Sequence, residues 1–436
     1  MAVKDPYVVV VDLHWKGHVP QYHKIFIKSF LDRDFCVLSI TIAPDEIEKW
    51  SKSLSGKDQS RIKAIQFDSK SIRSAKSVKI LFLWFSSLII TKLKLLRVPK
   101  ATFFNKALAV LLNWVSVNSL IKEFSQLHGV NPRLVFIGYL DSDFIFPGVT
   151  ARFVDSYFHY PWSGAYFGPK YFRSSIPKEK KSLVERYLPS HDILRSENLS
   201  AILVSDKGVV NSMENYMNSP VLFLPELMEK SLPSGESKLA GLIKKKAGSR
   251  KIVSLLGVIA ERKGIELFVD SANRLVLENV FFLVAGEVSN EKQTEYVLSK
   301  LLTLQENSYT HLTTIQGDEY FNELIKLSDI VFLGYKAFYH GSGILTKAAY
   351  FKKMVIATKG HCIGDRVDKY KLGITIEEDN IDQCTNSITS LIDNDYQSVN
   401  SSGNDYLVIH SVDTFNKSID ELVVLFSQRH EEKYIL

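Results

Sequence analysis

The sequence predicts an α/β protein built of two Rossmann-like domains that face each other across a cleft. Three observations support this prediction. Short apolar runs such as residues 7–11, 280–284 and 330–334 are typical of parallel strands buried on both faces. Stretches with helical spacing alternate with these runs, as in βαβ units. The alternation lapses once, near residues 229–250, and then restarts, so a chain of 436 residues divides into two such series.

The first series opens with the strand 7–11, a polar loop and a helix over 22–31. It continues with a strand at 36–42, a largely helical region at 77–124 and a strand at 134–137. Residues 151–155 form a further candidate strand, and the aromatic-rich stretch 157–171 is expected to be a loop that could stack on sugar rings or simply pack. Two short strands at 201–205 and 221–224 close this half.

The second series follows the expected linker 229–250, which contains Pro233, Gly235 and a run of three lysines. We predict strands at 251–256, 280–284, 312–315, 330–334 and 354–357, and helices at 264–277, 291–304, 320–328, 381–393 and 414–428. The predicted domains are therefore 1–228 and 251–412, with a closing carboxy-terminal helix in 413–436.

The composition is that of a globular protein, with 45% apolar and 23% charged residues. Cys36, Cys362 and Cys384 are far apart, which argues against a disulfide framework or a zinc site and fits a reducing compartment. The amino terminus lacks the layout of a signal peptide. A cytoplasmic protein is the simplest expectation.

The net charge of +6 is concentrated in one window. Residues 61–106 contain eleven Lys and Arg residues against one acidic residue, and they enclose the apolar, Trp-containing run 80–90. Such a segment suits a helix lying on an anionic membrane surface, at the inner face of a membrane. A core helix with solvated lysines explains the same pattern. Nucleic acid is not an expected partner, since no binding motif accompanies the charge.

The segment most informative about function follows the strand 330–334. It reads His340-Gly341-Ser342-Gly343-Ile344 and continues into a stretch with helical spacing. A strand, a glycine-rich turn and a helix start leave backbone N–H groups unpaired, and the helix dipole favours negative charge there. The segment therefore predicts a site for a diphosphate. Lys263, just before a predicted helix, is a suitable cation for the same ligand, although a solvent-exposed lysine explains its position as well.

Five motifs in order extend this prediction to a family. They are residues 255–268, 282–287 and 327–331, the glycine-rich segment at 340–349, and 355–360. Together they resemble the carboxy-terminal domain of GT-B glycosyltransferases, in particular glycosyltransferase family 4, over roughly residues 251–376. The amino-terminal half matches only in general layout.

The resemblance implies a nucleotide-diphosphate sugar as donor and a metal-independent reaction that retains anomeric configuration, with no cofactor. It assigns the diphosphate to Lys263 and the phosphate or donor sugar to the backbone of Gly341, Ser342, Gly343 and Ile344. Other donor-side residues by position are Gly257, Gly286, Glu287 and Thr346, and the base-side residues are Gly317, Asp318 and Tyr320.

On the acceptor side, Gly17 and His18 resemble the family's glycine-rich loop. His14 and His18, near Asp12, are candidate acceptor groups, although capping and loop hydrogen bonds would explain them too. His340 and His18 are the candidate catalytic residues, and a loop role for His340 is the alternative. Asp141 and Asp143 are expected to form a polar turn rather than a metal site.

The sequence departs from the family pattern at three positions. Val258 stands where the family usually has Arg, and His340 and Ala348 stand where it has two glutamates. In the family the second glutamate receives the nucleotide ribose, so Thr346, Lys347 or a neighbouring carboxylate would have to replace it.

We therefore expect a glycosyltransferase of polysaccharide biosynthesis that moves a sugar to a hydroxyl of a saccharide or lipid-linked acceptor. The alternatives are an inactive glycan-binding or scaffold subunit of the same fold, and a sugar-nucleotide epimerase of the same architecture.

Overall fold

The computed structural model describes residues 6–15, 17, 19–67, 101–173, 191–288, 291–393 and 402–435. These residues form two compact units. The first comprises Met1–Leu224 together with Phe415–Leu436, and the second is Pro225–Thr414.

The first unit is built on a parallel sheet of seven strands in the order β3-β2-β1-β4-β5-β6-β7. Its strands are β1 Tyr7–Asp12, β2 Cys36–Thr41, β3 Ile62–Gln66, β4 Leu134–Ile137, β5 Trp162–Tyr166, β6 Leu199–Val204 and β7 Val221–Phe223. Its helices are α1 Val19–Leu31, α2 Pro44–Ser51, α3 Gly56–Ser60, α4 Ala101–His128, α5 Asp141–Phe144, α6 Ala151–Tyr157, α7 Val210–Glu214 and, from the end of the chain, α16 Val412–Ile435.

The second unit is built on a parallel sheet of six strands in the order β10-β9-β8-β11-β12-β13. Its strands are β8 Lys251–Leu256, β9 Val280–Ala285, β10 Ser308–His311, β11 Ile330–Leu333, β12 Met354–Thr358 and β13 Gly373–Ile376. Its helices are α8 Lys238–Ala247, α9 Ile265–Arg274, α10 Glu291–Leu301, α11 Asp318–Leu327, α12 Gly343–Tyr350, α13 His361–Tyr370, α14 Ile381–Asp393 and α15 Ser402–Ile409.

The two sheets share one topology. In each, the first strand lies between the second and the fourth, which is the strand order of the dinucleotide-binding Rossmann fold. The apolar runs that predicted β1 and β9 are buried along their whole length, because helices cover both faces of a parallel sheet. Two parallel-sheet α/β domains are therefore confirmed. In such sheets ligands bind beyond the carboxyl ends of the strands, at the point where the strand order reverses.

Three local predictions were wrong. Residues 151–155 begin helix α6, whose amino terminus is capped because the Thr150 side chain accepts a hydrogen bond from the Phe153 N–H. The stretch 157–171 contains the fully buried strand β5, in which Trp162 packs against Trp114, so the aromatic residues there serve the core. Strand β10 lies at Ser308–His311 rather than at 312–315.

The long helix α4 belongs to the core of the first unit. Its Trp114 is 1% exposed, donates a hydrogen bond to the Phe144 carbonyl and packs edge-on against Phe158. Among the described residues, the part of this helix from Asn105 to His128 is long and apolar enough to cross a membrane, a test that core helices of globular proteins also pass. The predicted membrane-binding window falls mainly on residues 68–100, which lie outside the described residues.

Candidate functional site

The loops that follow β8 and β11 meet at the switch point of the second sheet. Gly264 has φ +70°, and a Cβ atom on it would lie 2.0 Å from the carbonyl oxygen of Gly334. The N–H of Lys336 donates to the carbonyl of Arg262 at 2.9 Å. Because only glycine permits both the left-handed backbone and this approach, the two loops form one fixed surface.

Four of the predicted donor-side residues come together on this surface. A Cβ atom on Gly286 would lie 1.9 Å from the Gly257 carbonyl oxygen, so the ends of β8 and β9 touch backbone to backbone. The virtual Cβ of Gly257 lies 3.5 Å from Ile344 Cδ1 and 3.9 Å from Lys263 Nζ. The sequence placed Gly257, Lys263, Gly286 and Ile344 in one site, and the structure brings these residues together.

Lys263 places a buried amine at this point. Its side chain is 6% exposed, and its Nζ donates to the Tyr335 hydroxyl at 2.5 Å. Burial, with a smaller contribution from Arg262, lowers the pKa of Lys263 to about 7. The same burial raises the pKa of Tyr335, whose hydroxyl also shares a hydrogen bond with Ser342. An amine with this pKa changes its charge near neutral pH.

The Gly341-Ser342-Gly343 turn leads directly into helix α12. Ser342 is the N-cap residue, but its side chain does not cap the helix, since it is engaged by Tyr335. The N–H groups of Ser342, Gly343 and Ile344 have no hydrogen-bond acceptor among the described residues. Unpaired amides at a helix amino terminus, next to a lysine, are groups that can bind an anion.

The remaining residues around this turn have different roles. The His340 ring lies edge-on to the ring of Phe338 at 5.3 Å, on the strand side of the turn. Thr346 is fully buried and bonds to Glu226 and Tyr406 at 3.4 and 3.0 Å, so its hydroxyl belongs to an internal network. Ala348 is also fully buried.

One of the predicted base-side residues, Tyr320, lines a small cavity. Gly317 has φ +98° and starts helix α11, and the Asp318 carboxylate accepts from Lys347 Nζ at 2.6 Å. Tyr320 is 41% exposed and lines a cavity of about 200 Å³. The other lining residues are Ser237, Leu239, His311, Thr314, Ile315, Gln316 and Leu324. Glu287 lies nearby and accepts from the Thr314 hydroxyl at 2.7 Å.

The predicted acceptor-side residues lie in the first unit, at the carboxyl ends of β1 and β4. His14 stacks on Tyr139 with ring centroids 5.3 Å apart, and Gly17 is exposed with φ +61°. His18, the second candidate catalytic residue, lies outside the described residues.

Buried polar groups accompany these residues. Asp12 is 1% exposed and bonds to His23, whose other ring nitrogen lies 2.8 Å from the Ser39 hydroxyl. Burial raises the pKa of Asp12 and Asp143, and raises that of Asp141 to about 6. The Asp141 carboxylate accepts from the Phe167 N–H at 3.0 Å, so it holds a turn of the backbone. The described residues contain no cluster of His, Cys, Asp and Glu suited to a metal ion.

Sequence reasoning missed three residues of the second-unit site: Tyr335, Glu226 and Arg366. Tyr335 links Lys263 to Ser342, and the Glu226–Arg366 pair lies against Gly341. One signal was available for Glu226. It is a lone carboxylate after the end of a buried strand, and residues at the carboxyl ends of such strands commonly contact ligands. Arg366 lies within helix α13 and has no such signal.

Comparison with known proteins finds a family match within the second unit. Residues 243–405 match the model of the family described as glycosyl transferases group 1. A comparison with curated protein sequences finds no match.

Solved structures resemble the whole chain. A glycosyltransferase from Rickettsia africae has a TM-score of 0.61 at 13% identity, with 97% of this chain and 99% of that chain covered. Sucrose-phosphate synthase from Thermosynechococcus elongatus has a TM-score of 0.64 at 12% identity, with 97% and 100% covered. Anabaena HepE, solved with UDP and glucose, has a TM-score of 0.58 at 13% identity, with 99% and 100% covered.

These structural likenesses confirm the predicted GT-B fold class. The family match confirms the predicted resemblance, and over residues 243–405 it confirms the predicted glycosyltransferase class.

Proposed function

We propose that this chain, whose second unit carries a glycosyl transferases group 1 domain, moves a sugar from a nucleotide-diphosphate sugar to a hydroxyl of a saccharide or lipid-linked acceptor. The observation that carries the proposal is the amino terminus of α12, where unpaired amides lie beside buried Lys263 at the switch point of a Rossmann-like sheet. HepE, a structural neighbour, was solved with UDP and glucose, and another, MnaA from S. aureus, was solved with UDP.

The chemistry fits this geometry. When the bond between sugar and diphosphate breaks, negative charge grows on the departing phosphate. Fixed amide dipoles and an adjacent cation stabilise that charge without having to reorient. The amides of Ser342, Gly343 and Ile344 supply the dipoles, and Lys263 supplies the cation. Part of the nucleotide would occupy the cavity that Tyr320 lines. Retention of anomeric configuration and independence from metal are parts of the same proposal.

Ligand binding tests the donor class first. UDP, GDP and ADP, and sugars linked to each, should raise the melting temperature of the purified chain if they bind the native state. Lys263→Met should weaken the effect of the nucleotide that binds, whereas Lys245→Met, at an exposed position of α8, should not. Undiminished binding in Lys263→Met would refute the assignment of the diphosphate to Lys263. Stabilisation by none of the ligands would refute the donor site itself.

Turnover then separates an enzyme from an inactive relative. The departures at His340 and Ala348 favour the second candidate, a glycan-binding or scaffold subunit. Slow hydrolysis of a donor sugar that binds, followed by NMR with and without EDTA, reports activity, anomeric outcome and metal dependence together. Donor binding without any hydrolysis or transfer would support the scaffold. Formation of an epimerised sugar nucleotide would instead support the third candidate.

We further propose that the chain acts in the cytoplasm, at the anionic inner face of a membrane, through the basic window 61–106. Co-sedimentation with vesicles containing anionic lipid should be strong at low salt and should weaken as salt rises. Absent or salt-insensitive binding would contradict this part of the proposal.

A further inference from the structure

A buried ion pair lies against the glycine-rich turn of the second unit. Glu226 and Arg366 are 7% and 8% exposed, and Glu226 Oε1 lies 2.9 Å from Arg366 Nη1. The two residues come from distant parts of the chain, since Glu226 follows the end of β7 and Arg366 lies in α13. Burial removes both charges from water, and their attraction to each other offsets that cost. Removal of one partner therefore leaves the other charge buried and uncompensated.

The pair is in direct contact with Gly341. A Cβ atom on Gly341 would lie 1.7 Å from Glu226 Oε1 and 3.1 Å from Arg366 Nη1. The absence of a side chain at position 341 therefore lets the backbone of the turn rest on the carboxylate and the guanidinium. Glu226 also reaches into α12 through the Thr346 hydroxyl, and its backbone N–H donates to His410 Nδ1 at 2.9 Å.

The position of this carboxylate has an electrostatic consequence. Glu226 lies at the amino-terminal end of α12, where the helix dipole attracts negative charge. An uncompensated carboxylate there would compete with, and repel, any anion bound by the amides of the turn. Arg366 cancels that charge from the same buried position.

We propose that Arg366 is a positioning residue for the diphosphate, acting through Glu226: it neutralises the carboxylate beneath the Gly341-Ser342-Gly343 turn and so keeps the turn able to bind an anion. This inference rests on the proposed function. The pair therefore affects ligand affinity as well as packing. Loss of Arg366 and loss of Glu226 should have different effects on that affinity.

The experiment compares Arg366→Gln, Glu226→Gln and the double variant, using the full chain. Affinities for UDP, GDP and ADP, and for uridine, guanosine and adenosine, are measured by calorimetry. Arg366→Gln leaves a carboxylate under the turn and should weaken binding of the recognised nucleoside diphosphate about tenfold. Glu226→Gln leaves a guanidinium and should not weaken it. The double variant, which is neutral, should return affinity to within about twofold of the natural chain.

The nucleosides serve as internal controls, because they lack the charge that the pair is proposed to affect. Their binding should be the same in every variant that folds. Arg274→Gln, which removes an exposed cation paired with Asp382, controls for loss of positive charge elsewhere in the second unit. If Arg366→Gln does not fold, Arg366→Lys, which keeps the charge, should retain diphosphate binding, and Glu226→Gln should bind the diphosphate no more weakly than the natural chain. Weaker diphosphate binding in Glu226→Gln would then overturn the inference.

Equal weakening in the two single variants would overturn the inference. So would a double variant as weak as Arg366→Gln, or a loss that extends equally to the nucleoside. In each of these cases the natural chain still binds nucleotide and the proposed function stands. If the natural chain binds none of the three nucleoside diphosphates, the proposed function fails, and this inference fails with it.

Discussion

At the scale of single residues, Lys263 combines burial with a charge that the ligand is proposed to need. Its pKa of about 7 means that the free protein holds a neutral amine on the alkaline side of neutrality. An anion bound beside Nζ favours the protonated form, so binding above that pH requires uptake of a proton.

Nucleotide affinity should therefore fall as pH rises from about 7 to 9, by at most about tenfold per pH unit. Calorimetry in two buffers with different ionisation enthalpies measures the proton uptake directly. Lys263→Met should bind more weakly at neutral pH and should lose this dependence. The same slope in Lys263→Met would assign the titration to another group.

The same pKa makes a prediction for stability without ligand. The amine binds more protons in the unfolded chain, where its pKa is ordinary, than in the folded chain. Stability should therefore rise with pH between about 7 and 10 from this group alone. Because Lys263→Met removes the effect, the melting temperature of the natural chain should gain on that of the variant over this window. If the melting temperature of Lys263→Met instead rose relative to that of the natural chain over this window, the lowered pKa of Lys263 would be contradicted.

Gly341 tests the contact between the turn and the ion pair. Gly341→Ala places a methyl group 1.7 Å from Glu226 Oε1, so the turn or the pair must move. We expect destabilisation of about 1–3 kcal/mol, typical of overpacking, together with loss of nucleotide affinity. Gly235→Ala, which meets open space, is the matched control and should change neither. Denaturant unfolding and calorimetry measure the two effects, and wild-type affinity in Gly341→Ala would contradict the contact.

The sequence indicated that some of these residues lie together, because their positions follow from local patterns. Gly257, Gly341, Ser342 and Gly343 follow strands that are recognisable as apolar runs, and topology brings strand ends together. The contacts of Tyr335, Glu226 and Arg366 depend on side chains meeting across the fold. Glu226 and Arg366 meet only after β7, α12 and α13 have taken their places, so no spacing in the sequence indicates their pairing.

At the scale of elements, strands were predictable where burial on both faces makes the run continuous, as in β1 and β9. Strand β5 was missed because Ser163 and Gly164 interrupt its apolar pattern, although tertiary packing buries the whole strand. The first residues of helix α6 were predicted to be a strand because they include too few apolar residues to show a helical period. The feature that indicates a helix there is Thr150, whose side chain caps the amino terminus.

The junction between the β8 and β11 loops gives a prediction for two elements together. Gly264 and Gly248 both have positive φ, +70° and +63°, although their ψ angles differ, 33° against −125°. Only Gly264 faces another backbone: a Cβ atom on it would lie 2.0 Å from the Gly334 carbonyl oxygen. Gly248→Ala should cost about 1–3 kcal/mol, the strain of a backbone conformation that residues with a side chain rarely adopt. Gly264→Ala should cost clearly more, because it adds a clash that no side-chain movement relieves.

Denaturant unfolding of the two variants measures this difference, and nucleotide binding shows whether the junction supports the site. Gly264→Ala should lose affinity as well as stability, while Gly248→Ala should lose stability alone. Equal free energies of unfolding in the two variants would mean that the β11 loop moves freely away from Gly264, contrary to the packing described.

At the scale of the whole molecule, the two units differ in how many chain segments form them. The second unit is one continuous segment, Pro225–Thr414, and it contains Lys263, the glycine-rich turn and both members of the ion pair. The first unit is discontinuous, because the segment beginning at Phe415 packs on it. Phe415 contacts Phe26, Phe426 contacts Phe35, and Arg33 pairs with Asp420 at 2.7 Å.

Truncation should therefore affect the two units unequally. A fragment of residues 225–414 should fold alone and bind the recognised nucleoside diphosphate, since every proposed donor contact lies within it. A fragment of residues 1–414 should keep that binding. Its first unit should lose stability, because the aromatic rings of Phe26 and Phe35 lose the partners that cover them. Limited proteolysis with mass spectrometry locates the loss, and calorimetry measures the binding.

Two variants of the full chain test the packing of α16 on the first unit without cutting the chain. Phe426→Ala removes a buried ring and should destabilise the first unit by about 3–5 kcal/mol, while Val424→Ala, at an exposed position of the same helix, should have little effect. Nucleotide affinity should stay unchanged in both variants. If Phe426→Ala instead weakened nucleotide binding, the donor site would depend on the first unit, and the assignment of every diphosphate contact to residues 225–414 would be wrong.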